Sequence, residues 1–225
     1  MPIEISALVP VYNEEDRIEK TIETIKNSRY IREVIVVDDG SQDSTAVKAS
    51  NAGAKVIKLD KNMGKGYALK YGLDRMIDEN EIIIFLDGDL DASHNDIDRL
   101  IEPVIQGDCD VSIAKFLQSK KKGGFGLVKL LAKKGIEFYT RQNIDSGLSG
   151  QRAFRTEVLR NFKKMPSRYG VEVGMTIDIL KSGYSIKEIE VSMGHRETGR
   201  DLNGFIHRGK QFYQILWTLI LKGFR

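Results

Sequence analysis

Four apolar runs, each leading into polar residues and separated by helix-period segments, occupy the first 87 residues of this 225-residue chain. They are ISALVPV (5–11), EVIVVDD (33–39), AKVIKL (54–59) and EIIIFLD (81–87). Their β-branched residues favour strands, and their continuity leaves no wet face. Such strands, alternating with helices, form a parallel sheet covered on both sides. The intervening helices are read from NEEDRIEKTIETIKNS, with Ile18, Ile22 and Ile25 at helical spacing, from SQDSTAVKASNAG, closing on Gly53, and from GKGYALKYGLDRMIDEN. The fold class expected is α/β, with a mostly parallel central sheet and helices on both faces.

The second half is less regular. DCDVSIAKF (108–116), SGQRAFR (149–155) and SIKEIEVS (185–192) read as strands, and GVEVGMTIDILKSG (170–183) as a helix. A long amphipathic helix spans Asn203 to Lys222. Composition shifts near residue 110 without any low-complexity linker. The expectation is one domain over 1–225, in two halves of about 1–110 and 111–225. Cys109 is the single cysteine, so no internal disulfide forms, and a reducing compartment is indicated. The opening MPIEISALVPVYNEE carries acids where a secretory signal carries positive charge, and ILWTLIL (215–221) is too short to span a bilayer. A cytoplasmic protein is expected, with peripheral contact to the inner face of a membrane left open. The net charge of +3 is too small to argue for nucleic acid.

In open parallel sheets, ligands bind at the carboxyl ends of the strands. Polar clusters fall at those ends here: Tyr12, Asn13 and Glu14; Asp38, Asp39, Gly40 and Ser41; Asn62, Gly64, Lys65 and Gly66; and Asp87, Gly88 and Asp89. Neither a dinucleotide-type glycine pattern nor a P-loop follows the first run, where VYNEE stands instead. Acids in this position contact base and ribose, or hold a metal that bridges phosphates. A bare carboxylate would repel a pyrophosphate, and a divalent cation removes that conflict while stabilising a departing diphosphate. Asp87 and Asp89, at i and i+2 on an extended chain, point the same way, and Gly88 between them lets backbone approach a ligand. Their hard oxygens suit Mg²⁺ or Mn²⁺.

VPVYNEE, VVDDGSQDST, NMGKGYALKYGL and FLDGDLD, in that order, resemble the nucleotide-binding half of family-two-like glycosyltransferases with the Rossmann-like GT-A fold. The resemblance implies a nucleotide-sugar donor, UDP- ahead of GDP-linked. It places Pro10, Tyr12 and Glu14 at the base and ribose, and Asp39 near the base. It puts Lys65 at the nucleotide, Asp87 on the ribose side with Gly88, and Asp89 on the metal. Further on, YGVEVGMTIDILKSGYSIKEIEVSMGHRE (169–197) is similar to glucosyl-3-phosphoglycerate synthases. That likeness implies His195 as the second metal ligand and Glu172 beside the reacting sugar. It also makes GGFG, with Gly123, Gly124 and Gly126, an acceptor loop. Met193 and Glu197 depart from the pattern of those synthases, and FGLVK lacks their acceptor-binding Arg and Thr. Asp145, in QNIDSGLSGQRAF, resembles an acceptor-side aspartate of polyprenyl-phosphate glycosyltransferases and is the second candidate base. His94 is read as a helix start, without a functional role.

From Val111 to Ile136 the chain carries seven lysines and no acid. With glycines before a helix start, whose free N–H groups bind anions, this points to an anionic small-molecule or lipid-phosphate acceptor. The C-terminal helix packs on the sheet or pairs two copies in a homodimer; its alternative role is lying on a membrane. The function expected is metal-dependent sugar transfer from a nucleotide-sugar to a hydroxyl of an anionic, phosphoglycerate-like acceptor. The alternatives are a polyprenyl-phosphate glycosyltransferase at the membrane surface and a nucleotide-sugar-binding protein without turnover.

Overall fold

The computed structural model describes residues 3–116, 126–162, 165, 170–193 and 202–223. Its strands are β1 (Ile5–Val11), β2 (Glu33–Asp38), β3 (Lys55–Lys58), β4 (Ile82–Phe85), β5 (Val111–Phe116), β6 (Arg152–Arg155) and β7 (Ile186–Val191). The helices are α1 (Ile18–Lys26), α2 (Thr45–Asn51), α3 (Lys65–Met76), α4 (His94–Ile105), α5 (Leu127–Thr140), α6 (Thr156–Arg160), α7 (Val171–Lys181) and α8 (Leu202–Gly223). The strands form one seven-stranded sheet in the order β3-β2-β1-β4-β6-β5-β7. All pairings are parallel except those of β6, which runs against both β4 and β5.

The period of two along β1 sorts its side chains between two cores. Ile5, Ala7, Val9 and Val11 join Ile18, Ile22 and Ile25 of α1 and Ile97, Leu100 and Ile101 of α4 on one face. Leu8 joins Leu69, Leu73 and Met76 of α3 on the other, with Met175 and Ile179 of α7. Each fully buried isoleucine of α1 contributes about 1.5–3 kcal/mol. On α7 only Glu172, Asp178 and Lys181 escape burial. Its far side meets a third layer, where Val173, Ile177 and Leu180 pack on Ala132 and Ile136 of α5 and Ile215 and Leu219 of α8.

The strands lie where the apolar runs place them, and the first two helices start later. Residues 13–17 bridge to the next loop before α1 begins at Ile18, and residues 41–44 do the same before α2. α4 opens where expected: the Ser93 hydroxyl accepts from the Asp96 amide at 3.2 Å and donates to its carboxylate at 2.8 Å. The short α6 has no separate signal in the sequence, because RAFRTEVLR continues an apolar pattern across the strand-to-helix junction.

Candidate active site

The carboxyl ends of β1, β2 and β4 open on one edge of the sheet, as parallel strands require. After β1 the chain turns through Asn13, a non-glycine residue with φ of 54°. The turn is stapled to the loop after β2. The Asn13 amide donates to the Ser41 hydroxyl at 2.9 Å, the Glu14 amide to the Thr45 hydroxyl at 2.8 Å, and the Gln42 amide to the Asn13 side-chain oxygen at 3.0 Å. Ser41 and Asn13 thus hold the loops in place. Tyr12, 45% exposed, presents its ring beside them, and Pro10 lies on β1 opposite Val37.

Asp39 is buried, and both carboxylate oxygens are engaged. One accepts from the Met63 amide and the other from the Gly64 amide, each at 2.7 Å. The residue expected near the base therefore also shapes the turn that starts α3. That turn delivers Lys65 as the first residue of the helix, after Gly64 at φ of 94°.

Lys65 joins three elements. Its ammonium donates to Asp87 Oδ1, just after β4, and to Glu172 Oε1, in the first turn of α7, both at 2.7 Å. Burial by itself would lower the Lys65 pKa, but the charges of Asp87 and Glu172 outweigh it and raise the value. Asp87, at the end of an apolar strand, thus has a cation from within the chain beside it. The other oxygen of Asp87 accepts from the Gln151 side-chain amide at 2.7 Å. Gly150 completes the contact, since a β-carbon there would lie 2.6 Å from the Lys65 ammonium and 2.8 Å from Asp87 Oδ2.

Behind this cluster lies Arg152, 1% exposed. It donates to the carbonyls of Ser149 and Gly147 at 2.7 and 2.9 Å and to the Thr176 hydroxyl at 3.0 Å. Thr176 in turn donates to the Glu172 carbonyl at 2.8 Å. Burial pushes the Arg152 pKa down to about 10, against the pull of Glu172 and Asp87. Gln151 and Arg152 escape the sequence reading because SGQRAFR looks like any strand. Only the reversed direction of β6 brings its first residues to the edge where parallel strands end. A polar pair opening an apolar strand is the one signal they leave.

Gly88 also serves a contact within the chain. A β-carbon there would lie 2.6 Å from Val11 Cγ1, so the close approach is to β1. Its carbonyl accepts from the Thr21 hydroxyl at 2.9 Å, tying the turn to α1. Asp89 is 25% exposed on its side chain and pairs with Arg17 at 3.8 Å, a long contact that leaves its oxygens accessible. Among the described residues no group of three or more His, Cys, Asp and Glu is arranged to hold a metal ion. The donor set still fits a hard cation, because Mg²⁺ takes one or two carboxylates and fills its shell with substrate phosphate and water. His195, the expected second ligand, and Gly123 and Gly124 lie outside the described residues.

Gly126, at φ of 67°, precedes α5, and nothing stands within 4 Å of where its β-carbon would be. Asp145 is in a different setting from Glu172. It accepts from Lys133 at 2.6 Å and pairs with Lys115 at 3.9 Å. The Lys133 hydrogen bond holds its carboxyl below the usual range, which weakens it as a proton acceptor. The structure joins Lys65, Asp87 and Glu172 and ties Asp145 to the lysines of the neighbouring segment instead.

The strand order, the paired acids after β4 and the cation-bearing start of α3 define the class, the GT-A glycosyltransferases. The profile described as "Glycosyl transferase family 2" matches residues 6–162, and the chain belongs to that family. It is 29% identical to an uncharacterised protein of Methanocaldococcus jannaschii, over 97% of this chain and 92% of that protein. An undecaprenyl-phosphate 4-deoxy-4-formamido-L-arabinose transferase of Pectobacterium atrosepticum is 26% identical, over 96% of this chain and 67% of the relative. Among solved structures, glucosyl-3-phosphoglycerate synthase from Mycobacterium tuberculosis, in complex with Mn²⁺, UDP and glucosyl-3-phosphoglycerate, superposes with a TM-score of 0.79 at 26% identity. That match covers 97% of this chain and 79% of the synthase chain. Another structure of that synthase holds Mg²⁺ and UDP.

Proposed function

We propose that this glycosyltransferase moves a hexosyl group from a UDP-sugar to a phosphate-bearing acceptor, with Mn²⁺ or Mg²⁺, in the cytoplasm. The observation that carries the reading is the Lys65 ammonium at the first turn of α3, held between Asp87 and Glu172. A helix start with a lysine attracts a diphosphate, and the flanking acids mark the ribose and sugar sides. Residues 1–110 hold the donor: Tyr12, Pro10 and Glu14 line the base and ribose side, with Asp39 behind them and Asp87 and Gly88 facing the ribose. Residues 111–225 hold the acceptor, with the 123–126 glycines close to its charge. Asp89 and His195 would hold the metal. That ion, when bound, supplies positive charge to the departing diphosphate.

Lys65 turns from Glu172 to the donor phosphates on binding. This frees the Glu172 carboxylate to receive a hydrogen bond from the acceptor hydroxyl, which it orients or deprotonates. Gln151 holds Asp87 in place during that exchange, and Arg152 keeps the 147–149 turn and the start of α7 in register. Two acceptor classes are supported by relatives, a soluble phosphoglycerate and a lipid-linked phosphate. The exposed apolar outer helices favour the second.

The reading is tested with Glu172→Gln. Transfer from UDP-sugar should fall by about 10²–10⁴-fold while UDP-sugar affinity changes little, as for loss of a group acting at the reacting hydroxyl. Unchanged turnover would remove Glu172 from the mechanism. No turnover by the unaltered protein with any UDP- or GDP-sugar and Mn²⁺ would overturn the function itself.

A further inference from the structure

We infer that α5 and α8 together form a docking face for an anionic lipid surface. The inference rests on the phosphate-bearing acceptor proposed above and adds where that acceptor is met. The two helices are the outermost layer, and their inner residues are consumed by α7. Their outer residues are apolar as well. Leu127, Leu130 and Phe138 of α5 are exposed, and so are Tyr213, Trp217 and Ile220 of α8, the last three at i, i+4 and i+7. Phe138 is 71% and Tyr213 64% exposed. Single exposed hydrophobes are ordinary, but stripes on two adjoining helices are not. Among the described residues no helix is long and apolar enough to cross a membrane, so the geometry is that of helices lying on one.

Charge selects the occupant. Among the described side chains α8 carries Lys210 and Lys222 and no acid, and α5 carries Lys129, Lys133 and Lys134 against the single Glu137. Among the described residues, Glu137 is matched by Lys134, Asp145 by Lys133 and Asp178 by Lys222. Lys129 and Lys210 remain at the exposed surface. A second copy docked through the same face would set cations against cations, whereas acidic headgroups complement them, with Trp and Tyr at the headgroup level.

The face is joined to the catalytic cluster. A β-carbon on Gly170 would collide with the Thr218 hydroxyl, so α8 is pressed against the residue that caps α7, two positions before Glu172. The Tyr139 hydroxyl donates to the Leu219 carbonyl at 2.8 Å, fastening α5 to α8. A lipid surface held by these helices therefore lies alongside the helix that carries Glu172.

The chain has one tryptophan, Trp217, so its fluorescence reports this face alone. Vesicles of phosphatidylcholine mixed with phosphatidylglycerol should shift its emission to the blue and carry the protein in flotation. Phosphatidylcholine alone should do so at least tenfold less well, and added salt should reverse the binding. The double variant Leu130→Glu with Ile220→Glu keeps Trp217 and should lose both signals while retaining its UDP-sugar thermal shift. Absence of a blue shift with anionic vesicles overturns the inference. Equal binding to both vesicle types overturns the headgroup selection. A blue shift that needs only rising protein concentration, with a doubled mass, identifies a second copy as the occupant and overturns it too. Vesicle binding requires no sugar donor, so failure of transfer would sink the functional reading and leave this result standing. Turnover of a soluble acceptor without vesicle binding would sink this inference alone.

Discussion

The ammonium of Lys65 lies 2.7 Å from carboxylates on two different elements, so one positive charge serves Asp87 and Glu172 at once. Replacing Lys65 with Met leaves two acids facing each other in a half-buried setting. Breaking a fully buried pair costs about 3–5 kcal/mol, and the 32% exposure of the Lys65 side chain reduces this to about 1–3 kcal/mol by solvent screening. Urea denaturation of Lys65→Met should show that loss, and UDP-sugar turnover should fall at least tenfold. Unchanged stability together with unchanged turnover would mean the contact is incidental. Other single residues have narrower parts. Cys109 is buried and its thiol is pushed up to about 11, chiefly by burial, which suits packing rather than reactivity. Lys65, Asp87 and Glu172 stand out in the sequence because each is a charge beside an apolar segment or a glycine. Arg152 does not, since a buried arginine bonded to carbonyls and a hydroxyl is indistinguishable, as a letter, from a surface one.

At the scale of elements, Asp110 before β5 ties that strand's start to the start of β7. Its carboxylate accepts from the Ser185 amide and hydroxyl, before β7, at 2.8 and 2.7 Å. Burial alone would raise the Asp110 pKa, but these hydrogen bonds lower it overall. A depressed folded pKa makes the stabilisation fully present above the ordinary aspartate value of about 3.9, and it is lost as pH falls through the folded value. Asp110→Asn should therefore be less stable by about 1 kcal/mol at neutral pH. The gap to the unaltered protein should close progressively in acid below about pH 4, read as converging thermal midpoints. A gap independent of pH would assign the effect to something other than the carboxylate. The strands themselves were legible, because an apolar run between turn residues has few alternatives. The direction of β6 was not. Its pattern is the same read parallel or antiparallel, and the choice depends on partners 41 and 71 residues away in Ser112 and Ile83.

For the whole molecule, donor binding and folding are linked by mass action. A UDP-sugar at a hundred times its Kd stabilises the native state by about 2.7 kcal/mol. For a chain of this length that is a rise of roughly 5–10 °C in Tm. The rise should require Mn²⁺ or Mg²⁺ and should be largest for the true donor in a panel of UDP-, GDP- and ADP-sugars. A shift equal with and without metal would remove the cation from donor binding. The sequence alone determined the α/β class, the four leading strands and the edge of the sheet where chemistry collects, since hydrophobic period and turn chemistry are local properties. It also supplied the order of motifs that marks a family 2 glycosyltransferase. Only the tertiary structure decided that Lys65 pairs with Asp87. The same holds for Gln151 and Arg152 standing at the site and for Asp145 being engaged by Lys133. Lys65 and Asp87, Gln151 and Asp87, and Lys133 and Asp145 stand 22, 64 and 12 positions apart. Charge balance at a buried edge depends on which side chains the sheet order brings within 3 Å, and no local pattern encodes that.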